Sequence, residues 1–446
     1  MLFDIETVAA ILFVIALSLF LYSKKGRMHE QQLVKNALFF SMYRTKIGLR
    51  LMDSLSKKFR RSFEYIGYLG ILLCFIGMAL ISYLLIDNIA KIFLKPEAVP
   101  GVGLVLPVKA KGIFYVPFFY WIISIFVIAF VHEFAHGIIA RAHNIKVKSS
   151  GFAFLGSTLM ALGFLILVFT LPAKIVDSPF SFDFSSSSDL WLAAGTAMVL
   201  ISLAKNLKIP AIPAAFVEPD EKELKKRPHS QQLSVFAAGP FSNIALAFII
   251  LAFLGLIVAP LSAGLFEDNG VEIVDLIESQ GKYPAELAGI SAGEVVKEID
   301  GQPIKTAEEF SSLMETRSPQ QKIRLKTDIS EYSLLLASNP DNSSRAFLGI
   351  KVAQSTGIKA PVYEKYGNFI PAAYVWLIGL LSMLMMLNFG IGLFNLAPIG
   401  PLDGGRMMQL LLHKLFDKEK GDRLWKNISI FFLVIIIFNL AYSFIG

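Results

Sequence analysis

FVIAFVHEFAHGIIA, residues 126–140, decides how this chain is built. His132, Glu133 and His136 are its only polar side chains. The stretch lies inside a longer apolar block, residues 113–140. As a helix, a block of that length crosses a hydrocarbon core of about 30 Å. On a helix, positions i and i+4 share one face. Two imidazoles at that spacing can hold one Zn²⁺, and the Glu beside the first can reach a water held there. Ionisable groups near a bilayer centre cost about 2.5–3.5 kcal/mol each on insertion scales, so they read first as a working site. A hydrogen-bonded His pair gluing two helices is the plainer alternative.

The rest of the sequence agrees with a membrane setting. The chain has 446 residues, 54% hydrophobic and 17% charged, with a mean hydropathy of +0.59. Soluble domains are less apolar and more charged. Further span-length apolar blocks run over residues 5–22, 65–86, 234–260 and 369–393, and a last one over 427–444. Two shorter blocks, 157–171 and 190–204, are too short to place as spans or as surface helices, and the Ser-rich run 181–189 separates them. The expected fold class is thus an α-helical polytopic membrane protein of six to eight transmembrane helices.

Charge sets the expected orientation. Asp4 and Glu6 precede the first block and KKGR, residues 24–27, follows it. That order predicts an uncleaved span with the N-terminus outside. The basic segment 23–64 then falls in the cytoplasm. Alternating the spans places 264–366 outside, and the end of the 369–393 block near the cytoplasmic face. The net charge of +7 sits beside spans and forms no aromatic-rich basic patch, which argues against a nucleic-acid partner. With the single Cys74, neither an intramolecular disulfide nor a Cys-based metal site can form.

Zinc hydrolases commonly use three protein ligands and a water. The extended pattern HExxHxxGxxH is absent, since Ile139 and Ala142 occupy its Gly and His places. His143 is one residue out of phase. No Glu follows until Glu218. The remaining carboxylate in apolar surroundings is Asp403, in FNLAPIGPLDGG, residues 394–405. Prolines and glycines break the helix there, which membrane depth tolerates only beside protein or a water-filled cavity. Asp403 is therefore either a third ligand or the N-cap of a helix over residues 404–413.

Together these motifs resemble the site-2 protease family of intramembrane metalloproteases, PDZ-bearing members above all. HEFAHG, then AGPFSN at residues 238–243, then NLAPIGPLDGG occur in that family's order. The resemblance implies one Zn²⁺ held by His132, His136 and Asp403, with Glu133 as general base and acid. It implies that Asn243 and Asn395 help hold the substrate strand or the developing oxyanion. It implies transmembrane protein substrates in the lipid bilayer, trimmed beforehand by another protease and bound as extended strands. KVKSSGFAF, residues 146–154, alternates and would offer an edge for such a strand.

Residues 279–314 resemble the core of a bacterial-type PDZ domain, so 264–366 is expected to be an inserted extracytoplasmic α+β PDZ-like domain. The domains then read as 1–112, an N-terminal membrane region; 113–260, the first part of the catalytic core; 264–366; and 367–446, the second part. Residues 156–209 interrupt the first part where relatives run almost directly into a segment like PAAFVEPDEKEL, residues 213–224. Two other classes compete. A PDZ-bearing scaffold would not need Glu133. A metal transporter would commonly show internal repeats, and none is visible.

Overall fold

A computed structural model describes residues 12–13, 15–17, 19–20, 23, 28–34, 38–94, 99–107, 112–158, 196–199, 208–277, 283–340 and 342–445. Most of the first expected span and nearly all of the two short blocks lie outside the described residues. The chain forms two compact units, Met1–Ala252 with Gly379–Gly446, and Phe253–Ile378.

After helical residues between 12 and 23, the first unit has strands β1 (Met28–Val34) and β2 (Leu38–Thr45) and helix α1 (Leu49–Lys58). The basic segment is therefore folded, not a plain loop. Helix α2 (Arg60–Leu94) follows, and then α3 (Phe118–Ala142), which carries the HExxH. The 113–140 block does not start as helix. Ile113–Tyr115 is a short strand, and Pro117 is the N-cap of α3. A residue before proline disfavours the helical region, which delays the helix to Phe118.

Strands β3 (Val147–Thr158) and β4 (Lys208–Pro219) complete a four-stranded sheet, order β1-β2-β3-β4, antiparallel throughout. This corrects one expectation. From Ser150 onward KVKSSGFAF is interior, bonded to β2 on one side and β4 on the other, and only its first residues, before Ser150, pair with β4 alone. Alternation marks a strand, but it carries no information about neighbours supplied by distant sequence. The edges are β1 and β4. Thr158 pairs with Lys208, so the segment between them leaves and re-enters at one end of the β3–β4 pair.

Helix α4 (His229–Phe253) carries AGPFSN, with Pro240 in its interior. In sequence, the second unit comes next. It holds strands β5 (Phe266–Leu276), β6 (Val295–Ile299) and β7 (Gln302–Pro303), helix α5 (Ala307–Glu315), and strands β8 (Lys322–Thr327), β9 (Glu331–Leu335) and β10 (Ile350–Ile358). They form one sheet, order β9-β8-β6-β5-β10, with β7 paired to β6. On β8 buried and exposed residues alternate, and Ile323 and Leu325 join Val271, Ile273, Val296 and Ile299 in a closed apolar core. Thr306 and Glu309 cap α5 reciprocally. The compact unit, Phe253–Ile378, reaches beyond the expected 264–366 at both ends.

Helix α6 (Phe369–Phe394) returns to the first unit, and α7 (Asp403–Leu415) and α8 (Lys418–Ile445) close the chain. Among the described residues, five helical stretches are long and apolar enough to cross a membrane: Arg60–Leu94, Phe118–Ala142, His229–Leu265, Phe369–Phe394 and Lys418–Phe444. Several run beyond the apolar block, because helix continues through flanking polar residues that hydropathy alone omits.

Candidate metal centre

Helix α3 presents His132 and His136 one turn apart, their rings edge to face with centroids 4.8 Å apart. Asp403 arrives from the broken end of α6. There Leu396 and Met407 are fully buried against Cys74, Met78 and Ala237, which anchors the loop to α2 and α4. Gly404 and Gly405 are required at the turn, since a Cβ on either would overlap the backbone carbonyls of Leu396 or Ile399. The Asn395 carbonyl accepts the Gly404 N–H at 2.9 Å and closes the loop.

The Asp403 alternatives resolve geometrically. The N-cap of α7 is Leu402, and Asp403 is its first helical residue, with its side chain turned inward. Its Oδ2 lies 3.0 Å from His132 Nε2 and 3.4 Å from His136 Nε2. The His side chains are 11% exposed and the Asp 14%. Among the described residues, these are the one group of three such side chains whose ligand atoms converge, all within 4.8 Å of one another. A tetrahedral zinc with bonds of about 2.0–2.2 Å places its ligand atoms roughly 3.4 Å apart.

Two further features fit an ion. Gly239 of α4 faces both Nε2 atoms, and a Cβ there would overlap the pair. The bare glycine leaves that cradle open. Both Nδ1 atoms are already engaged on α4: His136 with the Val235 carbonyl at 2.6 Å, His132 with the Asn243 amide at 3.2 Å. For His136, whose Nδ1–H donates to the fixed Val235 carbonyl, this presents Nε2 with its lone pair free for a metal; the atom beside His132 Nδ1 is the Asn243 amide nitrogen, itself a donor.

Glu133, half-buried, accepts the Val217 N–H through Oε2 at 3.0 Å. That bond leaves β4 on the side away from β3, so the free edge of the sheet passes beside Glu133. Asn395 lines the same cavity, of about 660 Å³, whose rim carries Lys148, Glu218, Glu221 and Arg406. His143 lies elsewhere, buried with Nε2 2.7 Å from Ser234 Oγ. His413 pairs with Asp422 at 2.8 Å.

Sequence reasoning missed Gly239, Val235 and Val217. A Gly-Pro pair inside a span was a signal for the first. The other two act through backbone atoms, which have no signature in sequence.

A model of peptidase family M50 matches residues 197–438, which hold AGPFSN and NLAPIGPLDGG; HEFAH, at residues 132–136, precedes the matched stretch. That is more than half of the chain, and the chain belongs to peptidase family M50, the site-2 protease family. An uncharacterized protein of Methanocaldococcus jannaschii is 24% identical over 389 residues, 86% of this chain and 80% of its own length. A Staphylococcus aureus protein provisionally named a zinc metalloprotease is 24% identical over 277 residues, 50% of this chain and 61% of its own length. The PDZ domain of an SdrC-like protein from Listeria monocytogenes is similar to 19% of this chain over 87% of that structure, at 19% identity and a TM-score of 0.16.

Proposed function

We propose that this M50 peptidase is an intramembrane zinc endopeptidase that cuts the membrane-spanning segments of other proteins. The observation that carries the reading is the convergence of Asp403 on two histidines about 270 positions away in sequence, within helices of membrane-spanning length. His132, His136 and Asp403 would hold one ion. When bound, Zn²⁺ supplies a Lewis acid for the scissile carbonyl and makes water a nucleophile near neutral pH.

Glu133 takes the proton of the attacking water and passes it to the leaving amine as the peptide C–N bond breaks. The Val217 N–H holds its carboxylate in place. The substrate lies extended along the free edge of β4. Pro213 and Pro219 have the same parity as Val217, so their missing N–H groups fall on the free edge, where the Ala215 N–H and the outward carbonyls remain for the substrate backbone. Asn395 faces the cavity, where it contacts the substrate strand or the oxyanion.

Asn243 takes a positioning role beside its expected one. If His132 gives Nε2 to the ion, its Nδ1 carries a proton and needs an acceptor. The Asn243 amide nitrogen is the atom nearest Nδ1, and Oδ1 meets no donor among the described residues. Turning the amide over puts Oδ1 on the Nδ1–H. Asn243→Ala is expected to weaken zinc binding about 10–100-fold, read by competition with a coloured chelator. A change in KM with zinc affinity unmoved would restrict Asn243 to substrate contact.

The M50 membership, the basic segment 23–64 and the span alternation together support a site near the cytoplasmic face. They also support an external N-terminus and PDZ-like unit, and substrates trimmed outside before entry. The decisive experiment is cleavage of model single-span proteins by the purified chain in detergent. A zinc chelator should abolish the cut and added zinc should restore it. Cleavage that survives metal removal, or no cleavage of any substrate, would refute the reading.

A further inference from the structure

A second cavity, of about 430 Å³, lies on the other side of Glu133 from the metal donors. Glu133, Phe216 and Val217 border both cavities. The second is walled by Leu51, Met52, Phe130, Phe134, Phe152 and Phe216. Phe126, Phe130 and Phe134 stack along one face of α3, and Phe126 stacks on Phe152 across to β3. The polar side chains at its edge are largely engaged already: Thr45 Oγ1 donates to the Ser150 carbonyl and Ser150 Oγ to the Ile47 carbonyl. Arg50 also borders it, but the rest of the wall is mainly apolar and aromatic, while the rim of the donor cavity carries charges of both signs.

We infer that this cavity receives the side chain of the substrate residue that follows the scissile bond, and that it selects a large apolar one. The inference rests on the peptidase reading above. In hydrolysis the carbonyl carbon gains the water oxygen, and the nitrogen leaves with a proton from Glu133. The residue owning that nitrogen must therefore have its Cα next to the Glu133 carboxylate. Two cavities flank that carboxylate. The polar one is where carbonyl, water and donor set meet. The apolar one remains for the side chain, and Phe216 and Val217, on the strand edge that would hold the substrate backbone, form its near wall. A volume of about 430 Å³ lies within the range of small-ligand pockets, so it has ample room for a leucine or phenylalanine side chain.

The test uses the full chain in detergent with single-span substrates whose residue after the cut is Leu, Phe, Ala, Gly or Asp. The expected kcat/KM is at least about tenfold higher for Leu or Phe than for Gly, and lowest for Asp. Phe152→Ala should move the optimum toward the larger side chain, so the Phe-to-Leu ratio rises severalfold. A binding readout runs beside it in the Glu133→Gln background. Leu51→Cys should form a disulfide, under a mild oxidant, with a cysteine placed at the residue after the cut; the chain's own Cys74 is buried. Wild-type cleavage with a flat profile overturns the pocket assignment and leaves the peptidase reading standing. A cross-link formed instead from the residue before the cut also overturns it. Failure of wild type to cleave any substrate removes both.

Discussion

Gly239→Ala is expected to strip the protein of its metal without unfolding it. Alanine is the better helix former by about 1 kcal/mol, so α4 itself should gain stability from the change. The added methyl would stand against both His132 Nε2 and His136 Nε2, closer than any van der Waals contact allows. Gly239 is buried inside α4, which packs on α2 through Ala237 and on α3 through Val235 and Ala238, so the backbone has little room to retreat. The imidazoles would have to swing off the Val235 carbonyl and the Asn243 amide that aim them. The expected result is roughly a hundredfold weaker zinc binding, with cleavage near background. Metal content by atomic absorption, beside an unchanged far-ultraviolet circular dichroism spectrum, checks it. Full zinc occupancy and wild-type rates would show that the ion does not sit in this cradle.

Glu133→Gln should separate chemistry from metal binding. The amide is nearly isosteric, and its oxygen can still accept the Val217 N–H. It cannot take a proton from water or return one to the amine. General acid–base groups contribute about 10²–10⁴-fold, and here one carboxylate serves both halves of the reaction. A fall in kcat of about 10³-fold or more is expected, with zinc stoichiometry and substrate binding retained. Cleavage at a tenth or more of the wild-type rate would move the proton transfer to another group. A variant that loses its zinc would recast Glu133 as part of the donor set.

Much of the site was legible before the fold. The i, i+4 histidines in an apolar block had one strong chemical reading, since burying them otherwise is costly. Asp403 was legible as a candidate, yet its residue context also fitted an N-cap. Only the inward turn of α7, with Leu402 taking the cap, decides between them. The edge strand was misplaced: residues 146–154 alternate as a strand does, but from Ser150 onward β2 and β4 occupy both sides. Span boundaries slipped wherever a proline or a polar helical extension lay outside the hydropathy pattern, as at Pro117.

By itself, the sequence determined that the chain is a membrane protein, that one helix carries a pair of imidazoles at a spacing suited to one metal ion beside a carboxylate, and that a soluble-type unit is inserted between spans. Each of those follows from local chemistry: run length, helical periodicity and the expense of charge in hydrocarbon. Tertiary structure decided which carboxylate meets the imidazoles, which glycine keeps room for an ion, which backbone groups aim the side chains, and which strand lies at the edge. These depend on packing between segments far apart along the chain, where Leu396, Met407 and Ala237 close a shared core, and no short stretch of sequence encodes that geometry.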